Sequence, residues 1–150
     1  VTPVAKKTAG WLAVCVAITG ASEGLRLYTY PDVIGVPTYC YGETLDAKIG
    51  ATYTREQCDE KLATRLKEFD RAIAKCLTHE LPDNRRAAYV SFAYNVGVQA
   101  FCSSTLVKLE NAGNWQGACN QLPRWNKAGG VTWPGLTARR EREKELCLQG

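Results

Sequence analysis

Glu23, Asp32 and Thr38 lie in the stretch SEGLRLYTYPDVIGVPT, with eight residues between the first two and five between the second and third. Two carboxyls and a hydroxyl suit hydrolysis of a glycosidic bond. One carboxyl protonates the leaving oxygen while the other assists the attack of water. Glu23 follows an uncharged run and precedes Gly24, at the end of an expected helix. The negative end of the helix dipole and apolar neighbours both favour the neutral carboxyl there, as a proton donor needs. Asp32 sits in a wetter Pro-Asp turn, which suits a partner that stays charged. Thr38, on an expected strand, could hold a water through its hydroxyl. Each residue also has an ordinary reading: a helix-end charge, a turn former, a strand residue.

The elements around them are readable from pattern. Residues 9–22 read as a helix stopped by Gly24. Residues 25–45 carry Pro31, Gly35, Pro37 and Gly42, which favour short strands joined by turns over a helix. Thr54 and Gln57 form a capping box for a long helix, whose stripe Leu62, Leu66, Phe69, Ile73 and Leu77 faces a core. Its other face, with Lys61, Arg65, Lys67, Glu68 and Arg71, reads as solvated surface. Residues 84–96 read as a buried helix stopped by Gly97. Ser104 or Thr105 opens another, Asn114 caps WQGACNQLPRW, and a last helix starts near Pro134. The expected fold is one α+β domain over residues 1–150: a mainly helical body, a small β-rich lobe and a cleft between them.

The 150 residues are 45% hydrophobic and 23% charged, enough for a packed core. A net charge of +4 suits an anionic cell wall or membrane surface and is too weak to indicate nucleic acid. Seven cysteines with one histidine, His79, and no C-x-x-C pair argue against a zinc cage. No metal or cofactor is expected. Disulfides in an oxidising compartment fit better, with one thiol left over. Sequence alone does not select the pairing; Cys119 with Cys147 and Cys40 with Cys58 are the favoured pairs, and Cys15 the favoured free, buried thiol. Lys6 and Lys7 precede an uncharged run, residues 8–21. It is short and diluted with Ala, Gly and Thr, so it reads either as the apolar part of an export signal or as a buried helix.

The stretch EGLRLYTYPDVIGVPT resembles the phage lysozymes of the T4 type, glycoside hydrolase family 24. Their pattern is Glu, eight residues, Asp or Cys, five residues, Thr. The resemblance continues through YNVGVQAFCSSTLVKLENAG and CNQLPRWNKAGGVTWPGLTARRERE, nearly the whole chain from about residue 20. It implies a muramidase cleaving the β-1,4 bond between N-acetylmuramic acid and N-acetylglucosamine of peptidoglycan. Glu23 would be the general acid, Asp32 would orient or deprotonate the water, and Thr38 would help hold it. Arg139 matches the family arginine that pairs with the catalytic Glu. Asn95 falls where the family has an amide-bearing cleft residue, and could instead cap its helix before Gly97. Trp125 and Trp133 could stack on sugars or fill the core.

One departure stands out: the family has Gly-His where this chain has Gly42 and Glu43, which reads as a surface acid. The apolar segment resembles that of signal-anchor-release endolysins. That implies export, a transient inner-membrane tether, action on the wall from the periplasm, and a monomer. Two other readings stand beside it: an inactive peptidoglycan binder that keeps the fold, and a lytic transglycosylase, a different enzyme class. Glu43 is the only support for the first, and Asp32 with Thr38 argues against the second.

Overall fold

The computed structural model describes residues 2–150, with side chains from residue 10 onward. The side chains of Lys6 and Lys7 lie outside the described residues. The order is α1 (Thr2–Glu23), β1 (Arg26–Pro31), β2 (Pro37–Cys40), α2 (Arg55–Ala74), α3 (Asp83–Val96), α4 (Val98–Cys102), α5 (Thr105–Asn111), α6 (Trp115–Cys119), a 3-10 turn (Leu122–Arg124), β3 (Lys127–Ala128), β4 (Val131–Thr132) and α7 (Pro134–Leu148).

Helix α3 is the axis of the body. Its residues 87–93 are all buried, and it packs against α1, α2 and α7. Three alanines and Ser91 in that run let the neighbouring helices approach closely. Helix α1 presents Trp11, Cys15 and Thr19 to it, one buried stripe at helical spacing. The small residues that weaken the apolar segment as a membrane span have a second use here. A Cβ on Gly20 would lie 3.2 Å from the Tyr41 ring, so glycine lets α1 pass under the β lobe.

The α2 capping box forms as expected, with Thr54 Oγ1 accepting from Gln57 N and Gln57 Oε1 accepting from Thr54 N. Ser104 and Asn114 cap α5 and α6. The expected helix over WQGACNQLPRW is broken: α6 ends at Cys119 and the chain tightens into the 3-10 turn, where Pro123 supplies no backbone N–H. The β3–β4 hairpin lies outside the elements expected from the sequence pattern. Gly129 and Gly130, with φ of +59° and +78°, make its two-residue turn.

Disulfides join Cys40 to Cys58, Cys76 to Cys102 and Cys119 to Cys147. Both favoured pairs are present, and the first ties the β lobe to α2. Each closes a loop whose constraint on the unfolded chain contributes ~3 kcal/mol. Cys15 is the free thiol. It is fully buried, its Sγ lies 3.4 Å from the Ala87 carbonyl, and burial pushes it up to about 12, so it is inert in the folded chain.

Candidate active site

Glu23 is the last residue of α1, and Gly24, at φ +75°, turns the chain away after it. Arg139 of α7 donates from Nη1 to Glu23 Oε2 at 2.6 Å. The pair sets a positive charge against the negative helix end. Arg139 also donates from Nε to Glu143 Oε2 at 3.3 Å and from Nη2 to the Ser91 carbonyl at 3.3 Å. Glu143 accepts from the Ser91 hydroxyl at 2.7 Å, and Arg140 Nε lies 2.8 Å from its other oxygen. Arg140 Nη2 donates to Asn95 Oδ1 at 2.8 Å, and its guanidinium lies over the Phe92 ring. Two cations and two carboxylates thus join α1, α3 and α7. Burial pushes the Glu143 carboxyl up, while Arg140, the Ser91 hydroxyl and Arg139 pull it back.

Asp32 and Thr38 are set by the β1–β2 hairpin, whose register pairs Tyr30 with Thr38 and Pro31 with Pro37. Asp32 Oδ1 accepts from the backbone N–H of Ile34 at 3.0 Å and of Val36 at 2.8 Å. Its own N–H donates to the Val36 carbonyl at 2.9 Å, and the same carbonyl accepts from Thr38 Oγ1 at 2.9 Å. Both side chains are therefore referenced to the backbone of Val36. Among the described residues Asp32 Oδ2 has no protein partner. The Thr38 proton is committed to a carbonyl, so Oγ1 is left as an acceptor.

The lobe meets the body beside Glu23. A Cβ on Gly42 would stand 4.0 Å from Glu23 Oε1. Next to it Glu43 is far from being a plain surface acid. Arg65 donates to it twice, from Nε to Oε2 at 2.7 Å and from Nη2 to Oε1 at 2.9 Å, and Oε1 also accepts from the N–H groups of Thr44 and Leu45. Burial would raise this carboxyl, but Arg65 and the two N–H groups together hold it below the usual carboxylate range. Arg65 is accordingly not part of a solvated helix face. Tyr94 of α3 packs edge-on against Phe69 of α2, and its hydroxyl is pushed up to about 12 by burial, with the Glu23 and Glu43 carboxylates adding to it.

A groove of about 450 Å³ opens beside Glu23, lined by Ser22, Asn95, Trp133 and Leu136 and by Arg139 and Arg142 of α7. Asp32 and Thr38 do not line it. Asn95 lies inside α3 and faces the groove; Gly97 caps the helix, so the capping reading of Asn95 fails. The tryptophans divide: Trp133 is 53% exposed on the groove, and Trp125 packs edge-on against Phe92 in the core. Three residues of the charge cluster went unread in the sequence. Glu143, four residues after Arg139, carried a helix-pair signal. Arg140, three residues before it, carried the same kind of signal, and Ser91 carried none.

Residues 20–143 match the family model described as phage lysozyme. A curated relative from Bacteriophage PS34, named SAR-endolysin, is 42% identical over 154 residues, covering 98% of this chain and 92% of the relative. Among solved structures, an endolysin from the Escherichia coli O157:H7 phage FAHEc1 superposes with a TM-score of 0.81 at 34% identity, covering 90% of both chains. The active form of the P1 phage endolysin Lyz superposes with a TM-score of 0.80 at 29% identity, over 91% of this chain and 84% of that one. Its secreted inactive form reaches only 0.50 at 28% identity, over 69% and 74%.

Proposed function

Because the chain belongs to the phage lysozyme family and is a muramidase acting on the host cell wall, we propose that Glu23 and Asp32 divide the hydrolysis between them. Glu23 gives its proton to the oxygen leaving from the muramic acid C1. Asp32 Oδ2 takes a proton from a water whose oxygen attacks C1. Thr38 Oγ1 accepts that water's other hydrogen, which turns its lone pair toward the carbon. The C1–oxygen bond breaks as the new one forms, and the configuration at C1 inverts. Arg139 holds the Glu23 carboxyl in place, and Asn95 and Trp133 supply groove contacts to the sugars.

The observation that carries this reading is the free acceptor capacity of the hairpin. Asp32 keeps one oxygen unpartnered, and Thr38 keeps an oxygen that can only accept. A transglycosylase, which closes an anhydro ring without water, has no use for that pair. Glu43 gave the inactive-binder reading its support, and its engagement with Arg65 accounts for it structurally. Digestion of purified peptidoglycan by the wild type and by Glu23→Gln tests the reading. Reducing muramic ends, lost in the variant, are expected; anhydro ends, or full cleavage by the variant, would refute it.

A finer reading concerns α1. We propose that residues 8–21 first tether the chain to the inner membrane and form α1 only on release, when Glu23 reaches its place. The name of the PS34 relative and the closer match to the active form of Lyz support it. Among the described residues no helix is long and apolar enough to cross a membrane. Fractionation of expressing cells should find the chain in both membrane and periplasm; a chain confined to the cytosol would contradict the tether.

A further inference from the structure

The cations of the groove are not equivalent. Arg139 and Arg140 are buried and paired with Glu23 and Glu143. Arg142, three residues after Arg139 on α7, is exposed and makes no ion pair among the described residues. Its side-chain partner is the hydroxyl of Ser22, to which Nη2 donates at 2.7 Å. Ser22 in turn donates to the Ile18 carbonyl at 3.3 Å, so the hydroxyl is fixed from behind and presents only its acceptor side. Arg142 is thus anchored by one N–H beside the residue that precedes the acid. Its charge is uncompensated, and it lines the same groove as Glu23, Asn95 and Trp133.

We propose that Arg142 is a substrate-positioning residue that binds a carboxylate borne by muramic acid and so sets which sugar lies next to Glu23. This rests on the muramidase reading above. The two sugars of the glycan strand differ in this chemistry. N-acetylglucosamine carries no anion, whereas muramic acid bears a lactyl group, itself a carboxylate or extended by a peptide with free carboxylates. A guanidinium offers a planar fork of N–H donors that matches a carboxylate at two points, and a neutral sugar ring cannot satisfy it equally. A cation fixed one residue from the general acid would place the muramic acid at the cleaved side of the bond. Ser22, being neutral, holds Arg142 without cancelling the charge that the substrate needs.

The test compares intact peptidoglycan with peptidoglycan whose carboxyls have been amidated, using wild type, Arg142→Gln, Arg142→Lys and Lys108→Gln. Lys108 is exposed on α5 and does not line the groove, so it controls for general attraction to an anionic wall. On intact substrate Arg142→Gln should raise KM about 5- to 10-fold, the weight of one charge-assisted contact at a solvent-open site, with kcat changed less than about 2-fold. Arg142→Lys should recover part of the loss. Amidation should raise KM for the wild type and for Lys108→Gln, and leave Arg142→Gln unmoved. Strands stripped of peptide separate the sources. A low wild-type KM there assigns the lactyl carboxylate, and a high one the peptide carboxylates. If Arg142→Gln loses equally on intact and amidated substrate, or shifts the pH profile on both, Arg142 acts through the field at Glu23 and the proposal falls. Failure of the muramidase reading shows separately, as activity retained by Glu23→Gln.

Discussion

The two halves of the site are built by opposite means. The acid side is held by a buried charge network: Glu23, Arg139, Glu143, Arg140 and Ser91 tie three helices together through contacts up to 116 residues apart. The water side is held by short-range backbone bonds. Asp32 and Thr38 are fixed within seven residues by the Val36 peptide, in a hairpin whose tip leaves Val33 and Ile34 fully or largely exposed. On the proposed division of roles, a carboxyl that delivers a proton is served by a rigid setting in the cleft, and one that handles water by a free oxygen and access to solvent. The lesson is that stability and activity should come apart on the water side and stay coupled on the acid side.

The largest expected effect separates them most sharply. Asp32→Asn keeps an Oδ1 to accept from Ile34 and Val36, so the turn survives and the unfolding midpoint stays at the wild-type value. Losing the base should lower kcat by about 10²- to 10⁴-fold. A large fall in the midpoint would show that Asp32 is chiefly structural. Glu143→Ala probes the other half. It leaves Arg139 and Arg140 buried without their shared carboxylate and should destabilise by about 3–5 kcal/mol in urea titration. Activity should fall with it, because Arg139 no longer has a fixed position against Glu23.

The smallest effect lies on the bridge between the halves. Glu43→Gln keeps the acceptor for Thr44 and Leu45 but loses the ion pair to the half-buried Arg65, which should cost about 1 kcal/mol near neutral pH. The folded state holds the Glu43 carboxyl below its ordinary value. Its contribution is therefore present above about pH 4.3 and is lost as pH falls through the lower, folded value. Wild type and variant should converge in stability under acid. A gap that persists there would mean that the pair acts through shape and not charge.

What was legible in the sequence follows the same division. The helix stop, turn and strand that carry Glu23, Asp32 and Thr38 are local signals, as are the α2 cap and stripe, but those signals alone left each residue its ordinary reading, and the resemblance to the phage lysozymes is what singled the three out. The contact that commits the Thr38 proton runs to a backbone carbonyl, which residue identity at position 36 does not encode. Ser91 looked like one more small residue in a buried helix, since its partner lies 52 residues away. Glu43 looked like surface until Arg65, 22 residues on, was brought against it by the packing of α2. The Gly129–Gly130 turn was locally encoded but flanked by strands of two residues, too short to show an alternation.

The division of labour between the two sides is tested most directly by the anomeric configuration of the freshly released muramic end, followed by proton NMR before mutarotation. A water placed by Asp32 and Thr38 and attacking opposite the Glu23-protonated oxygen gives the α anomer first. Initial release of the β anomer would require a double displacement, through a nucleophile on the enzyme or through the sugar's own N-acetyl group, in place of direct attack by the water that this account assigns to Asp32 and Thr38.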